Sequence, residues 1–306
     1  MHRNAYVLLL VTALFWGGNS VAGKLAVGHV SPLLLTTLRW GIAAALLALM
    51  GWRHLLADWP TIRRHAWLLA MLGFGGFTLF NVALYTALNH TSAINTSIEQ
   101  AGIPMVIFAA NFLLFRIRVT PLQILGFLLS LCGIALTASH GNPASLLALD
   151  VNFGDALMLL AVLFYSAYTV ALRFKPEIHW LSMMIVLTAS ALATSIPFAI
   201  WEEATGRAIA PDAEGWAIIL FMVLFPSILA QAFYIRGVEM IGANRAGVFV
   251  NLVPIFGTLL SVVVIGEAFH LHHAVAMVLV LGGIWLAEHS GRKNALREEA
   301  ARPPAS

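Results

Sequence analysis

The sequence predicts an all-α polytopic membrane protein of ten transmembrane helices, arranged as two inverted five-helix repeats. Three observations lead there. Of 306 residues, 60% are hydrophobic and 10% are charged, and the mean hydropathy is +0.87, whereas a soluble domain carries about 25% charged residues. Ten apolar runs each come close to the roughly 20 residues that a helix needs to cross a bilayer. The chain also matches itself at an offset of 149–150 residues. These features exclude an ordinary soluble globule, a disordered chain and a nucleic-acid binder. The lone Cys132 cannot form an internal disulfide.

Apolar runs between charge or turn clusters place the first five spans at about Ala5–Ala26, Ser31–Trp52, Trp67–Leu88, Thr91–Phe115 and Thr120–Ser139. The other five fall at Phe153–Leu172, Trp180–Trp201, Trp216–Arg236, Gly242–Ile265 and His270–Glu288. The tightest joins are Asn89–His90 and Arg116–Val119, and one longer polar insert covers Ala204–Gly215. Arg3 followed by an apolar run has the outline of a signal peptide. Gly17, Gly18 and Asn19 interrupt that run, and the segment has a counterpart later in the chain, so it reads as a span.

Lys and Arg in the loops set the orientation. With the N-terminus inside, the cytoplasmic side collects 14 of the 17 cations, among them Arg53, Arg63, Arg64, Arg116, Arg118, Arg173, Arg245 and Arg302. Lys24 and Arg207 fall outside, and Arg39 lies within a span. Asp150, Glu202, Glu203, Asp212, Glu214 and Glu267 also fall outside. Both termini are then cytoplasmic in a bacterial-type inner membrane. The net charge of +3 reports topology rather than a nucleic-acid patch.

The repeat pairs Leu14-Phe15-Trp16-Gly17-Gly18-Asn19-Ser20-Val21-Ala22 with Leu163-Phe164-Tyr165-Ser166-Ala167-Tyr168-Thr169-Val170-Ala171. Trp67 and Tyr85 pair with Trp216 and Tyr234. One residue later in offset, Ala93, Pro104 and Gly133 pair with Ala243, Pro254 and Gly283. Five spans per half is odd, so the second half enters from the opposite side. This inverted repeat is a recurrent architecture of secondary transporters. It divides the chain into 1–141, 152–291 and a cytoplasmic tail, 292–306.

Phe15-Trp16-Gly17 with Asn19, Arg39-Trp40, Pro104, Pro254, Gly266-Glu267 and the small residues of helices 5 and 10 resemble the EamA-type repeat. Across nearly its whole length the chain is similar to the drug/metabolite transporter superfamily. The resemblance implies export of amino acids or related metabolites, with proton coupling. Where the second half has Glu267, the first has Arg116-Ile117-Arg118.

Ionisable side chains within a span are costly and mark function by default. Arg39 and Glu99 each lie eight positions into their helices, about 12 Å below the outer surface. Asn19 and Asn81 lie at a similar depth, with Tyr85, Asn95 and Gln100 close by. Two readings fit: a polar site facing a central cavity, or an Arg39–Glu99 pair with interhelical asparagine hydrogen bonds. In the second half Tyr168, Gln231, Tyr234 and Asn251 lie nearer the inner end, as substrate-site groups or as interfacial tyrosines. Glu267 reads either as a solvated cap or as a gate contact with Lys24.

Other motifs carry less. Gly18-xxxx-Gly23-Lys24 fits most of a P-loop, but Leu25 stands where Mg²⁺ needs Ser or Thr. His270, His272 and His273 read as exposed loop histidines rather than a metal site. No Asp lies deep in a span, and no Gly-x-Ser-x-Gly occurs, which leaves no aspartyl-protease or hydrolase signature. Gly126, Gly133, Gly282 and Gly283 read as close helix packing. No cofactor or metal is called for, and the partners are the lipid bilayer and a small molecule. The function is therefore a secondary transporter, with a multidrug carrier or uptake permease as the alternative. A membrane enzyme, channel or scaffold is the competing class. Both charge signs, aromatic walls and amides suit a zwitterion such as an amino acid, and equally a nucleobase-like or mixed apolar metabolite.

Overall fold

The computed structural model describes residues 2–116, 120–142, 152–241, 246 and 249–300, and these are helical almost throughout. The helices are α1 (His2–Leu25), α2 (Pro32–Arg64), α3 (Ala66–Ala87), α4 (Ala93–Phe115) and α5 (Pro121–Ala138), then α6 (Phe153–Phe174), α7 (Trp180–Ala204), α8 (Ala213–Ile241), α9 (Val253–Ile265) and α10 (Leu271–Ala300). Among the described residues, α1 to α8 are long and apolar enough to cross a membrane. The chain is a multi-pass membrane protein. Val253–Ile265 and the apolar part of α10, Leu271–Ala287, are shorter than a full span. α9 starts at Val253 because a turn at Asn251 and Leu252 interrupts the helix before it; Gly242 and Arg245, which the sequence reading puts at its start, lie outside the described residues. In α10 the charges at Glu288, Arg292 and Lys293 end the apolar stretch while the helix continues. Ile117, Arg118, Asp150 and Arg302 also lie outside the described residues.

The sequence reading ended the second span at Trp52, but α2 continues to Arg64. Arg, Leu and Ala favour helix as readily as apolar spans do, so a charge cluster ends the membrane segment without ending the helix. At 33 residues α2 is about 50 Å long and projects beyond a hydrocarbon core of about 30 Å. Its projecting end is pinned to the start of α7. The rings of His54 and His179 stack 3.7 Å apart at 5°, and Asp58 Oδ2 accepts the His179 N–H at 2.9 Å.

Packing follows the small residues. α2 and α7 lie antiparallel: Glu202, late in α7, meets Ser31, Leu33 and Leu34 at the start of α2, while Asp58 meets His179 at the other end. α5 and α10 are antiparallel as well. A methyl on Gly126 would sit 2.4 Å from Gly283 O, and one on Gly133 would sit 2.7 Å from Ala276 O. α1 packs on α8 and α9, and α6 packs on α3 and α4. Such backbone-to-backbone approach is how membrane helices gain dispersion contact without a hydrophobic driving force between them.

One end of the bundle is closed by helix caps. α2 starts at Ser31 and Pro32, where proline's missing N–H costs nothing. The Glu202 carboxylate accepts the Leu34 N–H at 2.9 Å and the Ser31 hydroxyl at 2.6 Å. α4 starts at Ser92, whose Oγ accepts the Asn95 N–H. Glu267 accepts the Ala93 and Ile94 N–H groups at 2.8 and 2.9 Å. α8 starts at Asp212, whose Oδ1 accepts the Gly215 N–H. Each carboxylate thus answers the orphan donors and the positive end of a helix dipole.

At this end His29 Nδ1 also lies 2.8 Å from Asp212 Oδ2. The hydrogen bond to Asp212, with the charges of Asp212 and Glu214, raises the His29 pKa above the ordinary histidine value. A raised folded-state value means the tie is complete below the unfolded pKa and is lost as pH rises through the folded one. The His29 imidazole should therefore titrate above about 6.5 by NMR, and Asp212→Asn should bring it back. A midpoint unmoved by that substitution would refute the tie.

Three helices contain π-helical stretches: Phe74–Leu79 in α3, Val223–Leu229 in α8 and Ser261–Ile265 in α9. Such stretches redirect side chains and recur at functional sites. Two of them flank the polar cluster described next.

Candidate functional site

Arg39 is 4% exposed in the middle of the bundle. Its Nη1–H donates to Asn19 Oδ1 of α1 at 3.0 Å and to Asn81 Oδ1 of α3 at 3.1 Å, and it also contacts the Tyr85 hydroxyl of α3. Its Nε–H donates to Ser227 Oγ of α8 at 2.9 Å. The guanidinium lies 4.6 Å from the Trp40 ring centroid, a cation–π contact. Four helices thus converge on one cation.

The local sequence explains each position. Asn81 follows the π-stretch of α3, and its Nδ2–H₂ donates to Phe77 O at 2.6 Å, which turns its carbonyl oxygen toward Arg39. Ser227 follows Pro226 in the π-stretch of α8. Its hydroxyl donates to Met222 O five residues back, at 2.8 Å, leaving its lone pair for Arg39. The Tyr85 hydroxyl donates to Asn19 Oδ1 at 3.1 Å. All these partners are neutral. Among the described residues no acidic side chain stands at ion-pair distance from Arg39.

Glu99 is not the partner of Arg39. α2 packs on α3, α7 and α8, whereas the first half of α4 packs on α1, α5, α6, α9 and α10. Equal depth fixes one coordinate only, and the two helices are not neighbours. Glu99 is 0% exposed, and neither carboxylate oxygen has a hydrogen-bond partner among the described residues. Its acidic neighbour is Asp155 of α6. Asp155, also 0% exposed, contacts the Thr91 hydroxyl, accepts from Asn95 Nδ2 at 3.4 Å and lies 3.1 Å from His140 Nε2. The sequence reading passed Asp155 over because it sits in the first turn of its helix. Shallow position did not prevent full burial, since α4 and the 139–142 turn cover it.

Lys24 and Glu267 do not meet. Lys24 Nζ donates to Leu88 O and Thr91 O at 2.9 and 2.7 Å, at the end of α3, while Glu267 caps α4. The gate contact is replaced by two helix caps on neighbouring helix ends. The histidines also differ from the reading as exposed loop residues: His270 is exposed, but His273 is 5% exposed. With His140, His272, Ser92, Asn95 and Glu267 they line a cavity of 540 Å³.

The remaining candidates lie apart from Arg39. Gln100 is half-buried just before the helical break at Ala101–Gly102. The Tyr168 ring lies against Gly76, with Phe77 5.8 Å and Tyr165 5.4 Å from it. Tyr234 packs 5.4 Å from Trp16, Gln231 is half-buried on α8 and Asn251 is half-buried just before α9. Sequence reasoning missed Ser227, Asp155, His140 and Tyr165. The Phe225-Pro226-Ser227 triplet was the available signal for the first, because a span proline frees a carbonyl nearby.

A sequence model described as the EamA-like transporter family matches residues 3–139 and again 152–288. The chain belongs to the EamA-like transporter family. Two Bacillus subtilis (strain 168) relatives named as uncharacterized transporters, YetK and YyaM, are each 26% identical, over 92% and 94% of this chain and 86% and 94% of their own. YicL of Salmonella typhimurium, named as an uncharacterized inner membrane transporter, is 23% identical over 96% of this chain and 98% of its own. A solved crystal structure covers 94% of this chain and 98% of its own with a TM-score of 0.63 at 22% identity, which speaks to the fold alone. This EamA-like chain is a membrane transporter.

Proposed function

We propose that the protein is an inner-membrane secondary carrier that exports amino acids or related carboxylate-bearing metabolites by alternating access. The observation that carries this reading is the buried Arg39 guanidinium, whose partners among the described residues are all neutral. Buried charges in proteins are paired, and a planar guanidinium is suited to bidentate carboxylate recognition. A substrate carboxylate would supply the missing charge, with Asn19, Asn81, Tyr85 and Ser227 orienting the guanidinium. Opening of the bundle at the α1, α2, α3 and α8 junction would admit it.

Alternating access rests on the two-repeat reading, ten spans divided at 1–141 and 152–291. Several helix contacts support it, because they survive exchange of each helix with the one five places on. α1 on α8 mirrors α6 on α3, and α1 on α9 mirrors α6 on α4. α2 with α7 and α5 with α10 are pairs of mates packed antiparallel, as a two-fold axis in the membrane plane requires. The π-stretches at Phe74–Leu79 and Val223–Leu229 begin 149 residues apart. Cytoplasmic termini follow from the loop cations and would place reporters fused after Gly206 outside and after Arg297 inside.

The test is counterflow. Proteoliposomes preloaded with an unlabelled amino acid should transiently accumulate the labelled one, with saturation. Absence of saturable counterflow across amino acids and related carboxylates would overturn the reading.

A further inference from the structure

We propose that His140 and Asp155 form a proton route that leads from the histidine-lined cavity to Glu99. The proposal rests on the carrier reading and assigns it a coupling path.

The groups stand in order from the cavity inward, and Asp155 Oδ2 and both Glu99 oxygens are buried with no hydrogen-bond partner among the described residues. The cavity of 540 Å³ is lined by His140, His270, His272 and His273 together with Ser92, Asn95 and Glu267. The His140 side chain is 52% exposed at its edge, while Asp155, 3.1 Å behind it, is 0% exposed. His140 stands in the left-handed backbone region at φ 49°, and the adjoining Gly141 packs on His272. Behind Asp155, Thr91, Asn95 and Glu99 fall on one stripe of α4 at four-residue intervals, about 6 Å apart along the axis. Thr91 and Asn95 both contact Asp155. Glu99 is the next position on the stripe, buried with both oxygens free.

The surrounding charges fit a route rather than a structural ion pair. Lys24 of α1 is held by Leu88 O and Thr91 O. Glu267 is held by the α4 N–H groups. His90 packs on Phe153, 5.2 Å away. α10 contributes His272 and His273, and the segment before it contributes His270. Val253–Ile265 of α9 has no ionisable side chain, and Cys132 of α5 is exposed. Tyr165 and Tyr168 of α6 pack edge-on or tilted against Phe80 and Phe77 of α3. Among the described residues no cation neutralises Glu99, and a proton is what can do so.

The transfer balances as follows. His140 takes a proton from the cavity. Its Nε2–H bond breaks as an O–H bond forms on Asp155 Oδ2, turning imidazolium and carboxylate into neutral imidazole and carboxylic acid. Asp155 then gives the proton to Glu99 and returns to carboxylate, and His140 is free to take the next. The net change is one proton moved from the cavity to Glu99, whose charge is cancelled.

The test uses full-length protein in proteoliposomes with three readouts: counterflow at symmetric pH, substrate movement driven by a pH gradient, and proton flux reported by an internal pH dye. His140→Gln, at an exposed position, should keep counterflow and slow gradient-driven transport by about tenfold or more, since positioned proton donors contribute 10²-fold and upward. Asp155→Asn and Glu99→Gln should abolish gradient-driven transport and dye response while counterflow survives. Full gradient-driven transport in both Asp155→Asn and His140→Gln would overturn the route. So would wild-type counterflow without any proton flux. Absence of wild-type counterflow would strike the carrier reading instead. In that event infrared difference spectra of purified protein still decide the route. A carboxylic-acid band assigned by its loss in Glu99→Gln should rise after an acid jump, more slowly in His140→Gln. An unchanged rate overturns the proposal.

Discussion

Arg39→Gln is expected to remove carboxylate recognition while leaving the fold in place. Truncating one partner of a buried, hydrogen-bonded charge pair costs roughly 2–5 kcal/mol. At 1.4 kcal/mol per decade, the half-saturating substrate concentration should rise by about 30-fold to several thousand-fold. The fold should be spared because glutamine keeps an amide among Asn19, Asn81 and Ser227 and removes a buried cation that has no acidic partner among the described residues. Arg39→Lys separates charge from shape. It retains the cation and loses the planar fork that holds Ser227 on Nε and the two asparagines on Nη1, so it should rescue affinity only in part. Wild-type affinity in Arg39→Gln would remove Arg39 from the substrate site. A lower melting temperature with unchanged affinity would make it a purely interhelical tie.

Gly283→Val should be the most damaging single change to the fold. A methyl there would meet Gly126 O at 2.4 Å and Ser130 N at 2.9 Å, both backbone atoms. No rotamer relieves that contact, so α5 and α10 must separate. Overpacking costs about 1–3 kcal/mol where a site can adjust, and this site adjusts only by moving a helix. Gly282, its neighbour, has open space around the same atom, so Gly282→Ala should leave melting temperature and yield unchanged. Equal melting curves for Gly283→Val and wild type would refute the α5–α10 contact.

The membrane fold was legible because hydrophobicity and helix length are local properties of a bilayer-spanning chain. The helix boundaries were less so. α2 reads as ending at Trp52 because charges begin there, yet those charges belong to a helix that simply leaves the membrane. The convergence of Asn19, Asn81 and Tyr85 on Arg39 could be approached from depth along each helix. Depth also suggested Glu99 as the partner of Arg39, and there it failed, because adjacency depends on which helices pack. Ser227 was hidden for a related reason: a serine in a span is ordinary until a π-stretch turns its lone pair toward a guanidinium. Asp155 and His140 were hidden because they lie near helix ends, where polar residues are expected to be solvated. Lys24 and Glu267 both read as lying on the outer side, but the orphan carbonyls at the end of α3 and the orphan N–H groups of α4 satisfy them separately.

The central claim is that a substrate carboxylate meets Arg39. It is tested most directly by measuring counterflow of one transported amino acid against competition by its own carboxamide. The two molecules match in size, side chain and ammonium group and differ only in the charge that Arg39 would read. The account predicts that the carboxamide competes about 30-fold or more weakly in wild-type protein, by the loss of a buried charge pair, and that Arg39→Gln erases the difference. Equal competition by acid and amide in wild-type protein would contradict it.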